Sequence, residues 1–357
     1  MSRSHQKRIL VLRYRFIGDT ILTVPFLRNL RRAEPEAYIA WMVAPGSIGA
    51  VEGIPYVDEL IFWDPVTIHA DSRGGHRTLV QKSGFIRSLR EKRFDTAYVL
   101  KRSFSSALIA YLSGARRRIG FDTEGRGFLL TTRVPYDHDR HEVLNFLEVL
   151  RADGVPVTDD HLEYWLTPDE VRRGDEILAG AGVSPDEPLA LIHPFASNYP
   201  RGWHPDDFAT LSHLLAGRGL RTVVLGGDRD RSEWERCRPL FAGDAIGLVG
   251  AASLRETMAV LRRGTVFIGN DSGIMHLAAA AGLPLVALFG PQSPVRFGPW
   301  GPKSRIIYKE FPCSPCRQKF FRECEPSPRG KPACIEAITV DEVFSAANAL
   351  LDEQVTR

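Results

Sequence analysis

The sequence predicts a two-domain α/β protein with a parallel sheet in each half. Short β-prone segments alternate with helix-forming ones through the first 150 residues, and the same alternation restarts after residue 185. Length agrees, since 357 residues with 44% hydrophobic and 25% charged side chains favour two cores over one.

In the first half the apolar β-prone runs are Arg8 to Leu12, Ile39 to Val43, Leu60 to Trp63 and Thr96 to Leu100. Helices are expected between and after them, over Thr20 to Arg32, Leu79 to Lys92, Ser105 to Ser113 and His141 to Ala152. In the second half, strands are expected at Leu189 to Ile192, Thr222 to Leu225, Thr265 to Ile268 and Leu285 to Leu288, and helices at Pro205 to Ala216, Leu254 to Arg262 and Ile274 to Ala281. The boundary is expected within Thr158 to Pro188, where acidic, turn-rich stretches flank a helix near Glu170 to Ala181, giving domains over 1–165 and 185–357. The polar, glycine-containing segment from Pro65 to Gly84 reads as a mobile loop.

No apolar run reaches the roughly 18 to 20 residues that a membrane span needs, and the amino terminus shows no signal-peptide pattern, so a cytoplasmic location is expected. Net charge is +3, yet residues 1–150 carry 23 Lys and Arg against 16 Asp and Glu, or +7, which leaves −4 for the rest. Basic groups such as Lys101-Arg102 and Arg116-Arg117-Arg118 suit an acidic partner with phosphates or carboxylates, or form a solvated face.

The most informative stretch is 265–301. Thr265 to Ile268 is β-prone, Gly269-Asn270-Asp271-Ser272-Gly273 is a turn, and Met275 to Ala281 forms helix readily. The first-turn amides at Ser272, Gly273 and Ile274 then face a ligand, Gly273 lets a phosphate approach the backbone, and His276 lies one turn in on the same side. Together they make a pyrophosphate seat. The bland alternative is an Asp cap with a packed histidine.

Two further turns follow predicted strands. The first runs Arg13-Tyr14-Arg15-Phe16-Ile17-Gly18-Asp19-Thr20, where Asp19 is expected to cap the next helix or to act as a general base. The second, beyond Ile192, holds His193 to Trp203, where Arg201 is placed to pair with a diphosphate. After Thr222 to Leu225, Gly226-Gly227-Asp228 forms a turn whose glycines permit close backbone approach and whose carboxylate suits ribose hydroxyls; the bland alternative for these two loops is a surface arginine and an ordinary Gly-Gly-Asp turn. Neither G-x-G-x-x-G nor G-x-x-x-x-G-K-[ST] occurs, which weighs against dinucleotide-dependent dehydrogenases and P-loop NTPases.

Four of the five cysteines, Cys313, Cys316, Cys324 and Cys334, lie close enough in sequence to share a structural metal, with zinc the obvious candidate. Their spacing fits no standard finger, and reduced thiols or a self-packed surface loop are the preferred reading. Cys237 stands apart.

The segments RYRFIGDTILTVPFLRNLR, HPFASNYPRGWHPDDFATL, VVLGGDRD and FIGNDSGIMHLAAAAGLPLVALFGP, in this order, resemble glycosyltransferase family 9, which contains the heptosyltransferases. Arg102 to Ala107 and His141-Glu142-Val143 are similar to its heptosyltransferase II branch. The resemblance implies a GT-B fold: two Rossmann-like domains facing across a cleft, the first binding acceptor and the second nucleotide-sugar. It implies inverting, metal-independent transfer from ADP-heptose to an acidic inner-core sugar of lipopolysaccharide, with no cofactor, no nucleic-acid partner and peripheral contact with the inner membrane surface. By matching motifs, Asp19 and Arg201 take catalytic roles, and Asp271, Ser272, Gly273 and His276 bind the donor; Ser197 and Asp228, in the neighbouring loops, are also expected to bind the donor. Arg102 and Arg116 are expected to meet the acceptor. Many members place Lys where this chain has Arg201, so charge is kept and geometry altered. A nucleotide-sugar epimerase on the same fold and a non-catalytic sugar-nucleotide binding protein are the competing readings, and a base at Asp19 separates the transferase from both.

Overall fold

A computed structural model of the chain describes residues 6–64, 75–76, 78–316, 324 and 327–355. The chain divides into two compact units, Met1–Trp165 and Leu166–Arg357. The first holds strands β1 (Arg8–Leu12), β2 (Tyr38–Val43), β3 (Glu59–Phe62), β4 (Thr96–Val99), β5 (Arg117–Phe121) and β6 (Thr132–Val134). The second holds β7 (Leu189–His193), β8 (Arg221–Gly226), β9 (Ile246–Val249), β10 (Val266–Asn270), β11 (Leu285–Phe289) and β12 (Ser304–Tyr308).

Both sheets have the same layout. Their strand orders are β3-β2-β1-β4-β5-β6 and β12-β11-β10-β7-β8-β9, and every pairing is parallel. Each is therefore a doubly wound Rossmann-like sheet, in which the chain reverses its direction of travel between the first and fourth strands. Central strands are buried on both faces, as the adjacent Val11 and Leu12, or Leu191 and Ile192, illustrate. The GT-B architecture expected from the resemblance is met at the level of each unit.

All eight strands expected from the sequence form, and β5, β6, β9 and β12 are additional. Each missed strand has a physical reason. β5 opens on Arg117-Arg118, which reads as a basic loop, and β6 has only three residues. β9 carries Gly247, which looks like a turn; in fact a Cβ there would come within 2.3 Å of the Trp234 indole, so glycine makes room for the ring. β12 is a half-buried edge strand without clean alternation.

The expected helix over 20–32 is two helices, Ile17–Ile21 and Val24–Ala33, the second opening with a proline in its first turn. The helix Leu79–Glu91 begins on a Thr78–Gln81 capping box, so residues 79–84 are not part of a loop, and 65–74 and 77 lie outside the described residues. The acidic stretch near Thr158 is not a free linker. Buried Arg28 donates to Asp159 Oδ1 (2.7 Å from Nε) and pairs with Glu163, while Asn29 accepts from the Thr158 amide at 2.7 Å and donates to the Asp159 carbonyl at 2.8 Å. These bonds hold the end of the first unit on its own helix Val24–Ala33.

The helix Pro168–Gly180 starts the second unit with a Thr167–Glu170 capping box. Arg255 grips Glu170 with two bonds, Nε to Oε1 at 2.6 Å and Nη2 to Oε2 at 2.5 Å, and these hold the Glu170 carboxyl down at about 2. Gly174 faces the helix Leu254–Leu261, where a Cβ would lie 2.6 Å from the Ala259 Cβ and 3.0 Å from its carbonyl carbon. Among the described residues no helix is long and apolar enough to cross a membrane.

The contact at Gly174 sets a sign that helix propensity alone gets wrong. Alanine gains about 1 kcal/mol in a helix interior, whereas overpacking against backbone costs about 1 to 3 kcal/mol. Gly174→Ala is therefore expected to lower the thermal midpoint of the second unit; a midpoint equal to or above wild type would show that the two helices part freely.

Candidate functional site

Because every strand in a sheet points the same way, all carboxyl ends share one edge. Loops leaving the two strands at the reversal diverge and leave a crevice between them. In the first unit these are the loops after β1 and β4, and in the second those after β7 and β10.

Beyond β1 the backbone turns through two left-handed, non-glycine residues, Arg15 (φ 81°) and Phe16 (φ 43°). Each such residue costs on the order of 1–3 kcal/mol and persists only where its surroundings enforce it. Phe16 is the N-cap and makes no side-chain cap bond, so Asp19 does not cap this helix, contrary to that alternative. Asp19 is the helix's third residue, and its Oδ1 lies 2.7 Å from Arg13 Nη2 in a largely buried ion pair. Arg13 is itself packed against Phe146, its guanidinium carbon 5.2 Å from the ring centroid. One carboxylate oxygen is thus oriented by a fixed cation, and Oδ2 has no hydrogen-bond partner among the described residues.

The loop after β4 is pinned beside this carboxylate. The amides of Leu100 and Lys101 both donate to the Leu12 carbonyl, at 3.2 and 3.1 Å. Lys101 Nζ lies 5.2 Å from the Tyr14 ring, and burial, reinforced by Arg13 and Arg15 and opposed by Asp19, lowers its ammonium to about 8. Fully buried Arg126 holds the loop from beneath by donating to the carbonyls of Lys101, Ser103 (2.8 Å) and Phe121 (3.0 Å). Arg102 stands on this edge but is engaged: it stacks 4.0 Å from the Tyr136 centroid and lies 3.5 Å from buried Glu142. Arg116 is elsewhere. It precedes β5 and so stands at the amino edge, opposite Asp19 and Arg102; a charge run in sequence carries no information about which edge of a sheet it reaches.

In the second unit, β10 pairs with β7 so that Gly269 stands beside His193. The next residue, buried Asn270, joins the two loops: its Oδ1 accepts from the Trp203 amide at 2.9 Å and its Nδ2 donates to the Pro194 carbonyl at 2.8 Å. The helix Gly273–Ala280 then begins, with Ser272 as N-cap accepting from the Met275 amide at 3.3 Å. Ser272 is therefore the cap rather than a first-turn donor. The amides of Gly273 and Ile274 open the helix, where no preceding turn exists to receive them. His276 is buried in this first turn.

Arg201, from the loop after β7, forms a short, largely buried ion pair with Asp271, from the loop after β10. Its Nε is buried without a hydrogen-bond partner among the described residues. Asp271 is consequently a partner of the arginine as well as a neighbour of the helix start. His193 closes β7, and burial lowers its imidazole to about 4, so it is neutral at physiological pH. Ser197 is exposed in the same loop, and Asp228 is exposed beyond β8, 3.0 Å from Arg231. Gly226 has a packing role, since a Cβ there would come within 2.7 Å of the Phe195 ring.

Arg13, Asn270 and Lys331 were not singled out by sequence reasoning. Arg13 looked like any residue of a basic turn, and Asn270 like a turn former. Lys331 is distant in sequence and carries no motif.

Cys237, Cys313, Cys324 and Cys334 are free thiols. Cys316 donates its amide to the Pro291 carbonyl at 2.9 Å, and buried Cys334 packs near Gly290, so these two cysteines meet at the turn after β11. Burial, with further upward pushes from Cys313, Cys316 and Cys324, raises the Cys334 thiol to about 11. Among the described residues no three His, Cys, Asp or Glu side chains gather closely enough to hold a metal ion.

The chain is similar to known proteins over most of its length. It is 29% identical over 313 residues to lipopolysaccharide heptosyltransferase 2 of Salmonella typhimurium, covering 84% of this chain and 87% of the relative. It superposes on the Escherichia coli ADP-heptose lipopolysaccharide heptosyltransferase II with a TM-score of 0.76 and 25% identity, covering 97% and 99% of the two chains. A family 9 glycosyltransferase from Veillonella parvula shares the fold with a TM-score of 0.84 at 24% identity, covering 97% and 98%. The model for glycosyltransferase family 9 (heptosyltransferase) matches residues 83–324, and the chain belongs to that family of glycosyltransferases.

Proposed function

We propose that this enzyme moves a heptose from ADP-heptose to an inner-core sugar of lipopolysaccharide, with inversion at the anomeric carbon. The observation that carries this reading is the similarity to a lipopolysaccharide heptosyltransferase 2 over 84% of the chain, taken with Asp19 and the Asp271–His276 turn at the two reversal points.

In this reading, Asp19 Oδ2 takes the proton of the acceptor hydroxyl while Arg13 holds Oδ1. The hydroxyl oxygen bonds to the anomeric carbon, the bond from that carbon to the β-phosphate oxygen breaks, and the electron pair leaves with ADP. Arg201, His276 and the amides of Gly273 and Ile274 meet the developing charge on the diphosphate. Asp271 orients Arg201, and Ser197 and Asp228 contact the nucleotide from the loops after β7 and β8. Lys101, with Arg102 beside it, suits the acidic acceptor. The acceptor is lipid-linked and the first 150 residues carry +7, so the first unit is assigned peripheral contact with the inner membrane at its cytoplasmic side. Nucleic acid has no part in the reading.

Mass spectrometry of products from purified enzyme, ADP-heptose and truncated lipopolysaccharide cores tests this directly. Addition of one heptose to a core is expected. Transfer from another nucleotide-sugar in preference to ADP-heptose would replace the donor assignment.

Asp19→Asn removes the base while keeping shape, so turnover is expected to fall about 10²-fold or more with ADP affinity changed less than about twofold. Undiminished turnover would remove Asp19 from the chemistry. On the donor side, Arg201→Ala is expected to raise the donor KM and lower kcat together, and Asp271→Ala and His276→Ala to weaken ADP binding about tenfold in calorimetry. Wild-type ADP affinity in both of the latter variants would place the diphosphate elsewhere.

A further inference from the structure

The loop that carries Arg201 is held from a distant part of the chain. Lys331 is 3% exposed, and its Nζ lies 2.5 Å from the Gly202 carbonyl oxygen, 3.3 Å from that of Tyr199 and 3.4 Å from that of Trp203. The Tyr199 ring centroid is 4.2 Å from the same nitrogen. Three carbonyl dipoles from one five-residue turn thus converge on a single point, an arrangement that is repulsive without a cation at its focus. An ammonium has three N–H donors to match. Among the described residues no carboxylate pairs with it directly, so three carbonyls and a π face make its direct contacts.

Both neighbours of this contact are fixed. The Lys331 amide donates to Glu336 Oε1 at 2.9 Å, and the same carboxylate oxygen meets His204 Nε2 at 3.1 Å, one residue beyond Trp203. On the other side, Asn270 receives the Trp203 amide at 2.9 Å. Space beside Gly202 is tight: a Cβ there would stand 3.1 Å from the Ala196 Cβ, 3.5 Å from Asn270 Nδ2 and 3.6 Å from Lys331 Nζ. Arg201 therefore projects from a turn gripped by Lys331 and Asn270.

We propose that Lys331 is a positioning residue for the transfer, its ammonium holding the Tyr199–Trp203 backbone in the conformation that brings Arg201 to Asp271. The catalytic part of this inference rests on the reading of Arg201 given above. The loop-holding part does not.

The test uses Lys331→Met in the full chain, which keeps the apolar stem and deletes the cation, compared with wild type and with Arg201→Ala. Limited trypsin digestion followed by mass spectrometry reads the loop independently of activity, because the Arg201–Gly202 bond is itself a tryptic site. Lys331→Met is expected to speed cleavage there at least about fivefold, with the other sites cut at wild-type rates. Donor kcat/KM is expected to fall about tenfold or more in the wild-type background but less than about twofold further in the Arg201→Ala background, the signature of one residue acting through another.

Burial, opposed by Glu233, Glu336 and Asp207 and aided by Arg329, lowers the Lys331 ammonium to about 8. The cation is present below that pH and lost above it, so wild-type donor KM is expected to rise above about pH 8 by a step that Lys331→Met lacks. Unchanged cleavage at Arg201–Gly202 overturns the proposal, as does equally faster cleavage at every site, which would make Lys331 a support of the whole unit. Multiplicative losses in the double variant overturn it too. If Arg201→Ala keeps wild-type activity while Lys331→Met still exposes the bond, the loop-holding stands and the role of Arg201 falls.

Discussion

Parallel pairing between the first and fourth strands of each sheet is the constraint on which the site depends. In the second unit it sets Gly269 beside His193, so the chain leaving β7 and the chain leaving β10 emerge as neighbours at the carboxyl edge. Asn270 then joins those chains with two buried hydrogen bonds, each worth about 0.5–1.5 kcal/mol net, and far more costly to break by half than to lack altogether. Everything beyond it follows from that junction: the Ser272 cap, the helix start behind it, and the approach of Arg201 to Asp271. The first unit repeats the scheme, with Leu12 beside Val99 and the amides after β4 returning to the Leu12 carbonyl.

Each unit thereby acquires one largely buried Arg–Asp pair at its reversal point, but the two are built differently. Arg13, just after β1, and Asp19, in the first turn of the helix that follows, are six residues apart, and the strained turn at Arg15 and Phe16 folds one back onto the other. Arg201 and Asp271 come from different loops, so their pairing depends on the tertiary junction at Asn270 and on the grip of Lys331. Breaking a pair of this kind leaves an uncompensated charge in a poorly solvated place, which explains why the supporting contacts are so numerous. The pair in the first unit can adjust locally, within one stretch of chain. The pair in the second unit couples three segments.

The cations of the first unit illustrate the difference between charge and availability. Arg28 and Arg126 are buried and committed to holding the chain, and Arg102 is engaged by Tyr136 and Glu142. Among the described residues no carboxylate pairs directly with Lys101, and burial has already weakened its hold on a proton. A positive count over 150 residues therefore overstates how many cations are available at the carboxyl edge; the position and partners of each one decide.

The sequence by itself determined the alternation of strands and helices, the central strands of both sheets and the three turns that carry Asp19, Arg201 and Asp271, because local propensity and hydrophobic period are properties of contiguous residues. It missed β5, β6, β9 and β12, where charge, brevity or a packing glycine hid the period. Only the tertiary structure decided that Arg116 stands on the wrong edge, that Asp19 is held by Arg13 rather than capping a helix, and that Gly226 serves Phe195. It alone joined Asn270 and Lys331 to the Arg201 loop, since contacts between residues about 70 and 130 positions apart are set by strand order and burial, which no local pattern encodes.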